Sequence, residues 1–202
     1  MRLRLTFAAL VTACMLILPS AARAQDIGIV ESAETINKGN FKVRANPIVI
    51  FGKNGEDSRT GVALLAGYGL TSRFDFEGGA AFFDGVTFLA ANAEFWLIKE
   101  APFDVSVAGG IHRRTGDLTA DIKGLDLTFL ASGHVNKSLE VYGGLDIAFE
   151  GLGDPPNFKT VHIVPGIEYR INDMIDFVAE VGLAVNDFAR HYFTGGIAIY
   201  WK

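Results

Sequence analysis

From residue 41 onward, hydrophobic residues recur at every second position, and this period predicts β-strands. The clearest stretch runs from Leu139 to Glu150, where Leu, Val, Gly, Leu, Ile and Phe alternate with Glu, Tyr, Gly, Asp, Ala and Glu. On a strand these two sets separate onto opposite faces, whereas on a helix they would mix around the circumference. The pattern therefore predicts a strand with one apolar and one polar face.

Ten segments follow this pattern, and most are about as long as the roughly 9–11 residues that a tilted strand needs to cross a bilayer. Strands of ordinary globular proteins average about five or six residues. The segments are 41–51, 60–70, 73–83, 86–98, 103–113, 124–136, 139–150, 159–170, 173–185 and 190–201. They predict an all-β fold, a closed antiparallel up-and-down transmembrane β-barrel of about ten strands, with eight or twelve left open by boundary errors.

The links between the segments alternate in length along the chain. Short links follow the second, fourth, sixth and eighth segments: Thr71-Ser72, 99–102, 136–138 and Ile171-Asn172. Longer polar links follow the first, fifth and seventh segments: 52–59, 114–123 and 151–158. Barrels sort their links in this way when the short turns and both ends of the strand array share one side, the periplasmic side, and the long loops face outward.

Two prolines, Pro47 and Pro165, fall inside predicted strands. Proline has no N–H to donate to a strand ladder. Each proline therefore predicts a bulge, or an edge if the barrel is not closed.

The N-terminus has the pattern of a secretory signal peptide over residues 1–24. Arg2 and Arg4 precede an apolar stretch, and Ala22-Arg23-Ala24 places small residues at the cleavage positions. A lipoprotein signal ending at Cys14 is the alternative, but the apolar stretch continues beyond that cysteine. Residues 25–40 are predicted only as a lead: a periplasmic extension, a short helix or part of an extra strand. The barrel is expected over residues 41–202.

The single cysteine excludes a disulfide scaffold and a cysteine-based zinc site. The net charge is −5 and no block of five like charges occurs, so no nucleic-acid partner is expected. The four histidines lie on separate predicted strands without the short His/Asp/Glu spacing of a metal site, so neither a metal nor a cofactor is expected.

Together, the signal peptide, the even number of amphipathic strands, the glycines on apolar faces and the closing strand ending Tyr200-Trp201-Lys202 resemble a small bacterial outer-membrane β-barrel. The resemblance is architectural and covers residues 41–202. It implies export through the periplasm to the outer membrane of a Gram-negative cell, contact with outer-membrane lipid, and insertion by the barrel assembly machinery. A monomer is expected. Proteins of this class usually end in an aromatic residue, whereas Trp201 here is penultimate.

Two sets of side chains are candidates for a role within such a barrel. Outward aromatics near the segment ends predict a girdle at the level of the lipid headgroups; they are Phe41, Phe51, Phe74, Phe103, Phe149, Tyr169 and Trp201. Inward carboxylates predict an acidic lumen, in which Glu94, Asp146, Glu168 and Glu180 are the candidates for a cation path. A barrel of this size is also expected to be filled by its own side chains.

The expected function is therefore that of a non-enzymatic outer-membrane barrel, either a structural and surface-interaction protein or a narrow channel favouring cations. One alternative is an outer-membrane hydrolase acting on lipid or peptide, because some small barrels of this class are enzymes. Its candidate residues are His112, His162, Asp146, Glu150 and Ser132. The other alternative is a secreted soluble barrel that binds an apolar ligand inside, which requires the apolar face to point inward.

Overall fold

The computed structural model describes residues 28–29, 31–99, 102–116, 119–151 and 158–202. The predicted signal peptide, residues 1–24, lies outside the described residues, as do the tips of several links. No helix in these described ranges is long and apolar enough to cross a membrane.

Ten antiparallel strands form a closed barrel in the order β1 to β10, with β10 returning to pair with β1. The strands are β1 (Phe41–Ile50), β2 (Arg59–Gly69), β3 (Phe74–Phe83), β4 (Val86–Ile98), β5 (Asp104–Gly116), β6 (Thr119–His134), β7 (Leu139–Glu150), β8 (Phe158–Asn172), β9 (Ile175–Ala184) and β10 (Tyr192–Trp201). The predicted all-β, ten-stranded barrel is confirmed. The largest boundary difference is at β6, which begins five residues earlier than the alternation indicates.

Closure of the barrel rests on the pairing of its first and last strands. Phe41 lies opposite Trp201, and Ile50 lies opposite Tyr192. The ring centroids of Phe41 and Trp201 are 5.9 Å apart in a stacked arrangement. Since every strand has two partners, the barrel leaves no open sheet edge among the described strands.

Alternation along each strand sends charged side chains inward and apolar side chains outward. On β7, Glu140, Tyr142 and Asp146 are buried, while Val141 and Phe149 are exposed. The exposed outer surface carries large hydrophobic residues on every strand, among them Val43, Leu64, Phe76, Leu89, Ile111, Phe129, Val141, Ile163, Phe177 and Phe193. This arrangement excludes a soluble barrel with an apolar interior. In water, the outer surface of the barrel described here would expose a continuous apolar face.

The bulge or edge expected at the two prolines is not present. Around Pro47, the β1–β10 pairing resumes in the same register from Ala45↔Ile197 to Ile48↔Thr194. Around Pro165, the β8–β9 pairing likewise resumes unshifted. Each proline therefore interrupts the ladder on one side without adding a residue, and Thr194 Oγ1 donates a hydrogen bond to the Pro47 carbonyl at 2.9 Å.

The two ends of the barrel differ, and we name them by their links. The turn end contains the short links at 70–73, 135–138 and 173–174, together with the start of β1 and the end of β10. The loop end contains the links at 51–58, 84–85 and 185–191, together with the ends of β5 and β7 and the starts of β6 and β8.

Candidate functional site

Residues 28–29 and 31–36 enter the barrel from the turn end, and we call them the lumen segment. Glu31, Ser32, Ala33, Thr35 and Ile36 are all buried. The segment is held by two separate strands: the backbone N–H of Ala33 donates to Ser132 Oγ on β6 at 3.1 Å, and that of Ile36 donates to Asp75 on β3. Residues 25–40 were considered as a periplasmic extension, a short helix or part of an extra strand. Instead, residues 28–29 and 31–36 lie inside the barrel as an irregular chain.

A buried ion-pair network fixes the lumen segment to β1 and β3. Glu31 Oε2 lies 3.2 Å from Lys42 Nζ and 3.7 Å from an Arg44 guanidinium nitrogen. Glu77 lies beside Glu31 and contacts the same two bases, at 3.2 Å from Arg44 and 3.7 Å from Lys42. Two inward bases therefore share two carboxylates, one from the wall and one from the segment, which offsets the cost of burying all four charges.

Inward glycines make room for the apolar side chains of the lumen segment. A Cβ atom at Gly67 would lie 2.6 Å from Ile36 Cδ1, and a Cβ atom at Gly144 would lie 2.9 Å from Ile29 Cδ1. Any larger residue at either position would displace the segment. These two glycines are the sequence signal that an element occupies the lumen, since a strand facing only water has no need of them.

The loop half of the lumen is closed by the wall itself. An apolar cluster from several strands packs there, and Ile29 of the lumen segment contacts it. His112, Glu150 and His162 are also buried in this half. The members of the apolar cluster are Ile48, Ile50, Ala63, Leu65, Ala81, Phe83, Val86, Phe88, Val164 and Tyr192. Between the two closures, the cavity lined by Ile29, Phe88 and Asp126 holds only about 60 Å³, room for a few water molecules at most.

The four carboxylates expected to form a cation path lie in separate surroundings. Glu180 accepts hydrogen bonds from the Tyr142 and Tyr192 hydroxyls at 2.9 and 2.8 Å. Asp146 accepts one from Thr128 Oγ1 at 2.8 Å. Glu94 is buried and lies opposite Asp75 in the β3–β4 register.

Glu168, the fourth of these carboxylates, is half-buried and lines a turn-end cavity of about 210 Å³, together with Lys42 and Asp176. No single site brings all four carboxylates together among the described residues.

The residues considered for hydrolysis form two pairs, and Ser132 lies apart from both. Asp146 lies opposite His162 in the β7–β8 register, and His112 contacts Glu150. His112 lies between two carboxylates, with Nδ1 2.8 Å from Asp126 and Nε2 3.1 Å from Glu150, and its ring stacks on Phe88. His162 Nε2 lies 2.9 Å from the Arg190 carbonyl oxygen.

Ser132 is on β6, eight residues along the strand from Gly124, the residue that faces His112, or about 26 Å at the usual strand rise. Within the described part of the chain, no serine hydroxyl lies within hydrogen-bond distance of either histidine.

The seven outward aromatics lie on the outer surface, and Phe74 is the most covered of them. Five are at the turn end and two, Phe51 and Phe149, are at the loop end. Near the barrel closure, Tyr68 packs 4.8 Å from Phe41, centroid to centroid, and extends this aromatic row. The two groups therefore mark the two ends of the apolar outer surface.

No family model matches this chain, and no curated protein matches it. Among solved structures it is similar to the KdgM porin, with 11% identity, a TM-score of 0.51, and coverage of 80% of this chain and 99% of that one. It is also similar to an outer-membrane channel from Pseudomonas putida F1, with 9% identity, a TM-score of 0.57, and coverage of 88% and 100%.

At this level of identity the likeness shows the fold. The closed barrel, its apolar exterior and its charged interior agree with that likeness. The chain is a transmembrane β-barrel of the bacterial outer-membrane type.

Proposed function

We propose that this protein is a non-enzymatic outer-membrane barrel with a filled, non-conducting lumen and a structural or surface-interaction role. The observation that carries the proposal is double closure. The lumen segment occupies the turn half, and the apolar cluster around Phe88 packs into the loop half. A hydrated ion needs a continuous polar path, and the cavity between the closures holds only about 60 Å³.

Planar-bilayer recording of the purified protein tests this proposal. The wild type is expected to give no conductance steps, although its heat-modifiable gel mobility shows that it is folded. A variant lacking residues 28–36 and carrying Phe88→Ala loses part of both closures and is the matched control. It is expected to conduct, with a preference for cations, because carboxylates outnumber Lys and Arg among the described inward residues. Steady conductance from the wild type would refute the filled-lumen proposal and favour the narrow cation channel.

The placement of His112 supports a structural role for this residue rather than a catalytic one. Both of its ring nitrogens face carboxylates, and the nucleophile candidate Ser132 lies on β6 toward the opposite end of the barrel. Nucleophilic catalysis requires the hydroxyl, the imidazole and the carboxylate in one contact chain. Hydrolysis of a lipid or peptide substrate that is lost with His112→Ala would instead establish the hydrolase alternative.

We also propose that the turn end faces the periplasm, because outer-membrane barrels have short periplasmic turns and longer external loops. Outer-membrane lipid is then the partner of the apolar exterior, the assembly machinery inserts the chain, and closure without a free edge suits a monomer. Single cysteines placed at Ser72 or Ser138 should resist an impermeant thiol reagent on intact cells. Their rapid labelling would invert the orientation.

A further inference from the structure

Four side chains with metal-binding groups meet at the turn end of the lumen. Glu34 comes from the lumen segment, Asp104 from β5, His134 from β6 and Glu140 from β7. One ligand atom from each lies within 4.8 Å of all the others. Strand register assembles this group, since Asp104 opposes Ser132 and His134 opposes Glu140 across neighbouring strands. Metal-ligand spacing along the sequence cannot reveal such a site.

His134 is placed so that both of its ring nitrogens face carboxylates. Nε2 lies 2.9 Å from Glu34 Oε1, and Nδ1 lies 4.0 Å from Glu140 Oε2. A neutral imidazole carries one N–H and one lone pair, so one carboxylate faces a lone pair. A cation placed there can accept this lone pair together with the carboxylate oxygens.

Glu140 gives independent support for a ligand at this position. Its side chain is buried, with a relative exposure of 5%, and its Oε1 atom has no hydrogen-bond partner among the described residues. A buried carboxylate oxygen without a partner is costly. On the far side of the group, Trp96 Nε1 donates to Asp104 Oδ1 at 3.1 Å, a contact of the kind that orients carboxylates which bind metals.

We propose that Glu34, Asp104, His134 and Glu140 bind a divalent transition-metal ion, with Zn²⁺ as the best match. One imidazole nitrogen with carboxylate oxygens is a donor set that Zn²⁺ accepts in four-coordinate sites. Mg²⁺ and Ca²⁺ prefer oxygen ligands alone and more of them. The three carboxylates give the group an excess of negative charge, which a divalent ion offsets.

Such an ion would join the lumen segment to the wall. Three ligands belong to β5, β6 and β7, and the fourth, Glu34, belongs to the segment. Metal binding is therefore expected to hold residues 31–36 in place at the turn end. This inference rests on the position of the lumen segment and does not depend on whether the lumen conducts.

Zn²⁺ titration of the chelator-treated, folded protein in detergent tests the site, with isothermal calorimetry as the readout. We expect one Zn²⁺ per chain and binding weakened about 10- to 100-fold or more in His134→Ala and in Glu140→Gln. Glu34→Gln should weaken binding and also remove the protection from hydrogen exchange that Zn²⁺ gives to residues 31–36. His191→Ala, an exposed histidine at the loop end, is the matched control and should leave binding unchanged.

Two results would overturn the proposal: no saturable binding by the wild type, or binding of equal strength in wild type, His134→Ala and Glu140→Gln. If His134→Ala does not fold, His134→Gln and Glu140→Gln together serve the same purpose, and retention of full affinity in both counts against the site. Conductance measured on the same preparations separates the two proposals, because a conducting wild type that binds one Zn²⁺ would refute only the filled lumen.

Discussion

Glu31 in the lumen segment lies 3.2 Å from Lys42 on β1, and this ion pair joins residues 31–36 to the barrel wall. Both side chains are less than a tenth exposed. Lys42 and Arg44 therefore contact two neighbouring carboxylates, Glu31 on the segment and Glu77 on β3. The segment thus supplies a negative charge to the buried bases of the lumen and also occupies part of the lumen.

Glu31→Gln should loosen the lumen segment without opening the strands. Glutamine keeps the shape but removes the charge that faces two buried bases, at a cost of about 1 kcal/mol or more. Hydrogen exchange of the amides at 31–36 is expected to quicken at least about fivefold, while exchange in the strands stays unchanged. Lys38→Gln removes a charge from an exposed position just beyond the segment and serves as the control. Unchanged exchange in Glu31→Gln would contradict the ion-pair account.

Tyr192→Phe should destabilise the barrel through Glu180. The Tyr192 hydroxyl donates to Glu180 Oε1 at 2.8 Å in a buried position, and its removal leaves that oxygen short of a donor, at about 1–3 kcal/mol. Urea unfolding, followed by the heat-modifiable gel band, measures the loss. Tyr169→Phe, at an exposed outward tyrosine, is expected to change stability by less than about 0.5 kcal/mol. Equal effects of the two substitutions would show that the Glu180 contacts contribute nothing.

Gly182→Ala should be far more costly than Gly143→Ala. A Cβ atom at position 182 would lie 1.9 Å from the Tyr192 ring, whereas a Cβ atom at position 143 meets nothing within 4 Å. Forcing the buried ring to shift is expected to cost about 1–3 kcal/mol. The same urea unfolding assay compares the two variants, and similar stabilities would mean that the ring is free to move.

The depth of the apolar exterior in the membrane can be tested with arginine. Ile163 lies in the middle part of β8, and Ile171 lies near the turn-end limit of the same strand. Ile163→Arg is expected to cost about 2–4 kcal/mol and Ile171→Arg about 0–1 kcal/mol in phospholipid vesicles, because the cost of a lipid-facing charge falls toward the interface. The reverse order, or equal costs, would contradict the proposed placement of the barrel in the bilayer.

The strands could be predicted from the sequence because one physical rule governs them. Lipid outside and a polar lumen inside impose alternation, and on β7 this gives exposed Val141 and Phe149 beside buried Glu140, Tyr142 and Asp146. An even number of strands lets β10 pair antiparallel with β1 when the sheet closes. The prolines misled the prediction, since Pro47 and Pro165 interrupt hydrogen bonds on one side without shifting the register.

The lumen segment could not be predicted in the same way. Its residues are covered from all directions, so Glu31, Ser32 and Ala33 are buried in succession and show no period of two or 3.6. Its contacts are also distant in sequence, as with Ala33 and Ser132. The same reason hides the group of Glu34 and His134, because the position of the lumen segment brings these two residues together across 100 positions of sequence.

The occupation of the lumen by residues 28–29 and 31–36 is the central claim, and disulfide formation tests it most directly. Ala33→Cys and Ser132→Cys should cross-link on mild oxidation, because the Ala33 N–H lies 3.1 Å from Ser132 Oγ. Cys14 is the only native cysteine and falls in the predicted signal peptide. Ala33→Cys with Ala131→Cys, whose side chain points outward, should not cross-link. Two results together would contradict the account. The first pair would not cross-link, and a water-soluble maleimide would label the cysteine at 33 as fast as a cysteine placed at the exposed position of Lys38.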